Sequence, residues 1–318
     1  MQTRQLGNSD LQLTTVGLGT WAIGGGNWDF GWGPQDDKES MAAIRRALDL
    51  GVNWIDTAAV YGLGHAEEIV AQAIADRRDT VIVATKCGLR WKEGGTTPFG
   101  QLDTASVRAE CEASLKRLKI DVIDLYQVHW PNPDKDIETA WETIARLIGE
   151  GKVRYAGVSN FNISQLQRVQ KLHPVTSVQP PYSMLERGVE DELLEYCAAN
   201  HIGVLAYSPM QAGLLTGKYS KERVADLSQN DWRRGSDSFK EPRLSANLDL
   251  IEKLKPIAER SGITLSQLAI AWVLRRPEVT SAIVGARRPQ QIEETVAAGD
   301  VTLSKQDVEE IDALLTKL

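Results

Sequence analysis

A closed barrel of eight parallel strands sheathed by helices, the (β/α)8 or TIM barrel of the α/β class, is the architecture written into this chain. Short apolar runs alternate with amphipathic stretches almost without interruption, and the apolar runs number eight. Many of the amphipathic stretches open on Asp, Ser or Thr and close near Gly or Asn, which is helix start and stop chemistry. Asp56, Tyr61, Lys86 and His129 all stand where a strand-like run gives way to a loop. A barrel of parallel strands gathers those ends on one rim, where barrels carry their chemistry.

TTVGLG supplies the first strand and DKESMAAIRRALDLG the helix behind it. VNWIDT, TVIVATK, DVIDLYQVH, VRYAGVS, TSVQPP, GVLAYS and TSAIVGA follow as strands. AEEIVAQAIAD, TASVRAECEASLKRL, DIETAWETIARLIGEGK and VEDELLEYCAANH read as helices between them. The ending SKQDVEEIDALLTKL predicts an extra helix at the C-terminus with Ser304 as its N-cap. Two connections lack periodicity, one from about Arg90 to Asp103 and one from Met210 to about Ser245. Long loops in a compact domain are commonly functional, and both would overhang the rim. One domain spanning residues 1–318 accommodates all of this. Gly17, Gly19 and Ala22 also fit the G-x-G-x-x-A fingerprint of a doubly wound sheet. That fingerprint must open a helix, and here it runs into IGGGNWDFGWGP, too rich in glycine to propagate one.

Thirty-six basic residues against forty-three acidic ones leave a net charge of −7, which argues against nucleic acid or an anionic membrane as partner. Three scattered cysteines, Cys87, Cys111 and Cys197, form no CxxC pair and fit a reduced, cytoplasmic protein. The start, MQTRQLGNSD, lacks signal-peptide layout, and no window approaches about 18 apolar residues. His65, His173 and His201 have no metal-ligand spacing, so no metal site is expected. No helix shows a spare apolar face, which predicts a monomer.

An acid, a phenol, an ammonium and an imidazole on one rim can protonate a carbonyl oxygen. Hydride addition to an aldehyde or ketone leaves an alkoxide that needs a proton. Tyrosine is protonated at neutral pH and can donate it. An adjacent Lys86 would lower the pKa of Tyr61, and Asp56 would balance the lysine. Read singly, His129 could be structural and Asp56–Lys86 a mere ion pair.

GLGTW (17–21), NWIDTAAVYG (53–62), ATK (84–86), YQVHW (126–130), GVSNF (157–161), SVQPPYS (177–183), AYSPM with GLLTGKY, and IVGARRPQQIEE (283–294) occur in order across the chain. In this order and spacing the sequence resembles the aldo-keto reductases over essentially its whole length. It is most similar to bacterial general-stress and inositol-related members, which also resemble potassium-channel β subunits. The resemblance implies Asp56, Tyr61, Lys86 and His129 as the catalytic tetrad, with Tyr61 as proton donor. It implies NADPH as cofactor, with NADH possible. Thr20, Trp21 and Asp56 would be among the cofactor contacts, Ser159, Asn160 and Gln179 would hold the carboxamide, and Tyr207 would stack on the ring. Ser208, Gln211, Gly213, Leu214 and Lys218 would wrap the pyrophosphate. Gly285, Ala286 and Arg287 would surround the adenosine phosphate, with Gln291 and Glu294 at the adenine. Many relatives carry Lys-Ser where this chain has Gly285–Ala286, which removes one cation and one hydroxyl. Arg287, Arg288, Lys218 and Arg233 remain as phosphate partners.

Nine tryptophans are many for this length, and Trp21, Trp28, Trp32, Trp91 and Trp130 fall after strands. Trp21 and Trp130, with Tyr61 and His129, are the candidate walls for a small-molecule carbonyl substrate. Trp54, Trp141 and Trp272 read as core. Two functions of other classes compete: a nucleotide-binding redox sensor or regulator with slow turnover, and a lyase using Lys86 as a Schiff base.

Overall fold

The computed structural model describes residues 1–316. Its first element is an antiparallel hairpin, β1 (Thr3–Gln5) and β2 (Gln12–Thr14). Barrel strands β3 (Val16–Gly19), β4 (Trp54–Asp56) and β5 (Ile82–Cys87) come next, and then a short hairpin of β6 (Leu89–Arg90) and β7 (Phe99–Gly100). The barrel continues with β8 (Ile123–Val128), β9 (Val153–Ser159), β10 (Ser177–Gln179), β11 (Gly203–Tyr207) and β12 (Val279–Gly285). Neighbouring barrel strands are all parallel, and β12 pairs with β3 to close the ring. All eight strand-like runs are thus barrel strands.

Alternation along each strand divides inside from outside. Val16, Leu18, Ile55, Val83, Tyr126 and Val128 point outward into the main core, beneath the helices. Trp54, Ala84, Leu125, Leu205 and Ile283 point inward and fill the lumen with Leu6, Leu11 and Leu13 of the N-terminal hairpin. That hairpin plugs the floor of the barrel and was not foreseen from the sequence. Gly17 and Gly19 face the same lumen. A Cβ on Gly17 would lie 2.0 Å from the Trp54 indole, and one on Gly19 would lie 2.6 Å from Ile283. Close packing across the barrel therefore accounts for the apparent dinucleotide fingerprint.

The helices are α1 (Asp37–Asp49), α2 (His65–Ala73), α3 (Thr104–Leu118), α4 (Ile137–Gly149), α5 (Ile163–Gln170), α6 (Leu193–Ala199), α7 (Lys221–Ala225), α8 (Arg243–Arg260), α9 (Leu265–Leu274), α10 (Pro289–Val296) and α11 (Lys305–Leu315). Side-chain caps start several of them: Asp36 accepts from the Glu39 amide, Asp103 from Ser106 and Ser304 from Asp307. The aperiodic segment after β5 contains the β6–β7 hairpin. The one after β11 folds into short helical turns, α7 and the start of α8. Trp54, Trp141 and Trp272 are fully buried, and the three cysteines are buried free thiols.

Candidate active site

Inward-facing positions at the ends of β4, β5 and β8 bring Asp56, Lys86 and Gln127 into one layer, with His129 next above Gln127. The Lys86 ammonium donates to Asp56 Oδ2 at 2.6 Å, to the Thr57 carbonyl at 2.9 Å and to the Tyr61 hydroxyl at 3.3 Å. Gln179 donates to Asp56 Oδ1 at 2.8 Å and Gln127 to the same atom at 3.3 Å. Both carboxylate oxygens are thus engaged, as a buried charge requires. The His129 ring meets Tyr61 edge-on, with centroids 5.7 Å apart.

Burial sets the proton inventory of this cluster. It raises the Tyr61 phenol well above its ordinary range, and the Asp56 carboxylate pushes the same way. This corrects the expectation that Lys86 makes Tyr61 more acidic. The ammonium is already neutralised by Asp56, so desolvation and the carboxylate outweigh it. Burial also lowers Lys86, opposed by Asp56. His129 is held well below the usual imidazole range by burial and then by Lys86, so it is neutral. Tyr61 keeps its proton and His129 presents one N–H and one lone pair.

These groups open on a cavity of about 970 Å³ running from Tyr61 and His129 past the ends of β9, β11 and β12 to the start of α10. Asn160 sits beside the tetrad with its backbone in the left-handed region, φ 62°. Its amide donates to the His129 carbonyl and Ser159 Oγ, both at 3.0 Å, and its oxygen accepts from Tyr207 at 2.9 Å. Trp21 stacks on Trp232 with centroids 4.8 Å apart, and Trp32 meets both edge-on.

The description of the family model that matches residues 15–316 reads "Aldo/keto reductase family". The chain belongs to that family. It is accordingly an oxidoreductase built to work with a nicotinamide cofactor. A Bacillus subtilis (strain 168) aldo-keto reductase, YhdN, is 40% identical over 99% of this chain and 94% of its own length. The Escherichia coli (strain K12) NADH-specific methylglyoxal reductase is 36% identical over 96% of each chain. Among solved structures, the glycerol dehydrogenase AKR11B4 from Gluconobacter oxydans is similar with a TM-score of 0.90 and 36% identity. That match covers 99% of this chain and 95% of the other.

Most of the named site residues of this aldo/keto reductase line the cavity: Trp21, Asp56, Tyr61, His129, Trp130, Ser159, Asn160, Gln179, Tyr207, Ser208, Gly213, Lys218, Arg233, Gly285, Arg287, Gln291 and Glu294. Five others do not line it. Thr20 is buried and its hydroxyl donates to the Asp56 carbonyl at 3.2 Å, bracing β4 from behind. Leu214 and Ala286 pack in the core. Gln211 turns aside to accept from Ser183 and donate to Ser238, at 2.8 and 3.1 Å. Lys86 lies behind Tyr61 and Asp56.

The four cations named for a phosphate are not equivalent. Asp231 engages Arg233 in a bidentate pair, at 2.9 and 2.5 Å, with the guanidinium over the Trp32 ring. Lys218 pairs with Glu294 at 2.7 Å. Arg287 meets only neutral acceptors: Gln35 Oε1 at 2.5 Å, the Trp32 carbonyl at 3.3 Å and the Pro34 carbonyl. Burial, then Arg233 and Arg288, lower its pKa, which marks a local excess of positive charge. Gln127, Gln35 and Trp232 escaped sequence reasoning. Gln127 was within reach, being two residues before His129 and so on the same strand face.

Proposed function

We propose that the protein reduces aldehydes or ketones to alcohols with NADPH, Tyr61 delivering the proton. The observation supporting this best is the Lys86 ammonium bridging Asp56 Oδ2 and the Tyr61 hydroxyl, at 2.6 and 3.3 Å, beside the cavity. The cavity suits a dinucleotide. Amide and hydroxyl groups of Ser159, Asn160 and Gln179 cluster at the tetrad end, and guanidinium groups gather about 285–288 at the other. When bound, the reduced nicotinamide supplies hydride to the carbonyl carbon.

The protein's own part is to place and protonate. Neutral His129 donates a hydrogen bond to the carbonyl oxygen and orients it toward Tyr61. Tyr61 releases its proton to that oxygen, because an alkoxide is the stronger base. Lys86 takes up the phenolate charge, and Asp56, fixed by Gln127 and Gln179, keeps the lysine protonated. Trp21 and the long connections after β5 and β11 shield the site from water. The ammonium, being paired, is a poor nucleophile, which disfavours the Schiff-base reading.

Mixing the protein with NADPH and a nitrobenzaldehyde should consume reduced-nicotinamide absorbance. Tyr61→Phe should lower kcat by about 10²–10⁴-fold and leave the Kd for NADPH nearly unchanged. A fully active Tyr61→Phe variant removes the proton donor from the scheme. Arg287, lacking a carboxylate partner, supports NADPH over NADH, although one relative bears the name NADH-specific. Arg287→Ala should raise KM for NADPH by roughly tenfold or more and change KM for NADH little. Equal effects on both cofactors would assign Arg287 to loop structure alone.

A further inference from the structure

Tyr61 heads a turn whose next three residues, Gly62, Leu63 and Gly64, all have left-handed backbone, at φ 61°, 57° and 108°. Such a run is costly for Leu63 and keeps its shape only where the surroundings fix it. Two neighbours do so. A Cβ on Gly62 would lie 2.2 Å from the Gly24 carbonyl oxygen, and one on Gly64 would lie 2.9 Å from Cδ of Arg117. The turn is therefore pressed against the loop after β3 and against an arginine from the last turn of α3.

That arginine is itself held. Its Nε donates to Oε2 of Glu67 at 2.7 Å, and its Nη2 donates to the Ser114 hydroxyl at 3.3 Å. Glu67 lies in the first turn of α2, the helix that continues from Tyr61, and is fully buried. Its Oε1 accepts from the Thr85 hydroxyl at 2.6 Å. Thr85 precedes Lys86 on β5, and successive strand residues face opposite ways. Thr85 thus points out beneath α2 while Lys86 points into the lumen. One carboxylate ties together the helix after Tyr61, the strand bearing Lys86 and the arginine packed on the Tyr61 turn. Its charge also reaches the ammonium: burial lowers the Lys86 pKa, and Asp56 and then Glu67 oppose that. Glu67, Thr85 and Arg117 do not line the cavity, and the proton path makes no direct use of them.

We propose that Glu67 is a positioning residue, which through Thr85 and Arg117 sets the reach between the Tyr61 hydroxyl and the Lys86 ammonium, 3.3 Å, and so the rate of proton delivery. The inference rests on the reductase reading. A buried carboxylate with both oxygens committed fixes its partners in place, and shifting a reacting group by about 1 Å costs on the order of 10²-fold in rate. An ion pair that served folding alone would change how much enzyme is active, not how the proton moves.

Glu67→Gln keeps the shape of the side chain and removes its charge. With NADPH and a nitrobenzaldehyde, kcat should fall about 10- to 100-fold, while the Kd for NADPH stays as in the parent. The solvent deuterium isotope effect on kcat should rise, because the phenol delivers its proton more slowly; a smaller folded fraction leaves that ratio unchanged. In a Tyr61→Phe background the same substitution should have little further effect, since no phenol remains to be misplaced. Thr85→Val severs only the link to β5; it should show the same pattern more weakly, and it decides if Glu67→Gln fails to fold. Arg108→Ala, which breaks the exposed pair of α3 with Glu150 at 2.8 and 2.7 Å, should behave as the parent. An unchanged kcat, an unchanged isotope effect, or a loss of equal size with and without the phenol overturns the proposal, and Tyr61-dependent turnover then leaves the reductase standing. Should the parent turn over no carbonyl, the reductase reading fails by itself and amide hydrogen exchange decides the positioning. Faster exchange confined to residues 57–64 in Thr85→Val supports it; rates as in the parent, or faster throughout the chain, overturn it.

Discussion

Asp56 and Lys86 are each almost wholly buried, and neither would be tolerable there alone. Lys86→Met should therefore do two separable things. It should cost stability by about 3–5 kcal/mol, because the Asp56 charge is left without its counterion, and it should suppress kcat. Adding Asp56→Asn should recover most of the stability in denaturant titrations and none of the activity. Recovery of both would show the pair to be scaffold only. At this scale the four candidate residues stood out because they are chemically unusual at strand ends, and the barrel brings them together. Gln127 and Gln179 differ from one another in this respect. Gln179 came with a motif, whereas Gln127 is an amide inside an apolar run, and its hydrogen bond to Asp56 appears only when β4 and β8 share a lumen. The direction of the Tyr61 shift was misjudged from the sequence because it depends on burial and on how fully Asp56 neutralises Lys86.

Helix α3 carries another buried carboxyl, Glu110, which accepts from the Gly88 amide and Ser106 hydroxyl, both at 3.0 Å. Burial raises its pKa from about 4.5 to about 7, against the lowering effect of those two hydrogen bonds. The folded value lies above the unfolded one. Its contribution to folding is therefore full below about 4.5 and is lost as pH rises through about 7. Glu110→Gln should accordingly gain stability relative to the parent between pH 5 and 8.5, by on the order of 3 kcal/mol in urea titrations. An unchanged difference across that range would mean Glu110 ionises as freely as on the surface. Element boundaries were readable wherever a cap announced them, as Asp36, Asp103 and Ser304 do. The β6–β7 hairpin was not, since its strands are two residues each and hold position through Gly88, Asp29 and Asn132 rather than through any periodic pattern.

The barrel as a whole is stoppered at its floor by residues that precede its first strand. Leu13 is fully buried against lumen side chains from several strands. Leu13→Ala should cost about 2–5 kcal/mol and lower Tm, while specific activity of the folded fraction stays as in the parent, the tetrad lying at the opposite end. A matching loss of kcat would mean that floor and rim are mechanically coupled. Glycines 17 and 19, which looked like a phosphate-binding signature, belong to this scale too, since they make room for Trp54 and Ile283 across the lumen.

Local order was decided by the chain alone. Period-2 apolar runs, capped amphipathic helices and chemically distinctive residues at strand ends suffice for eight barrel units and four catalytic candidates, because each signal is written within a few consecutive residues. Three things waited on the closed barrel: which cations are already neutralised, which way buried protons lean, and which loops share one cavity with the strand ends. Each depends on distances between residues far apart in sequence, and on water excluded from between them, neither of which any local pattern encodes.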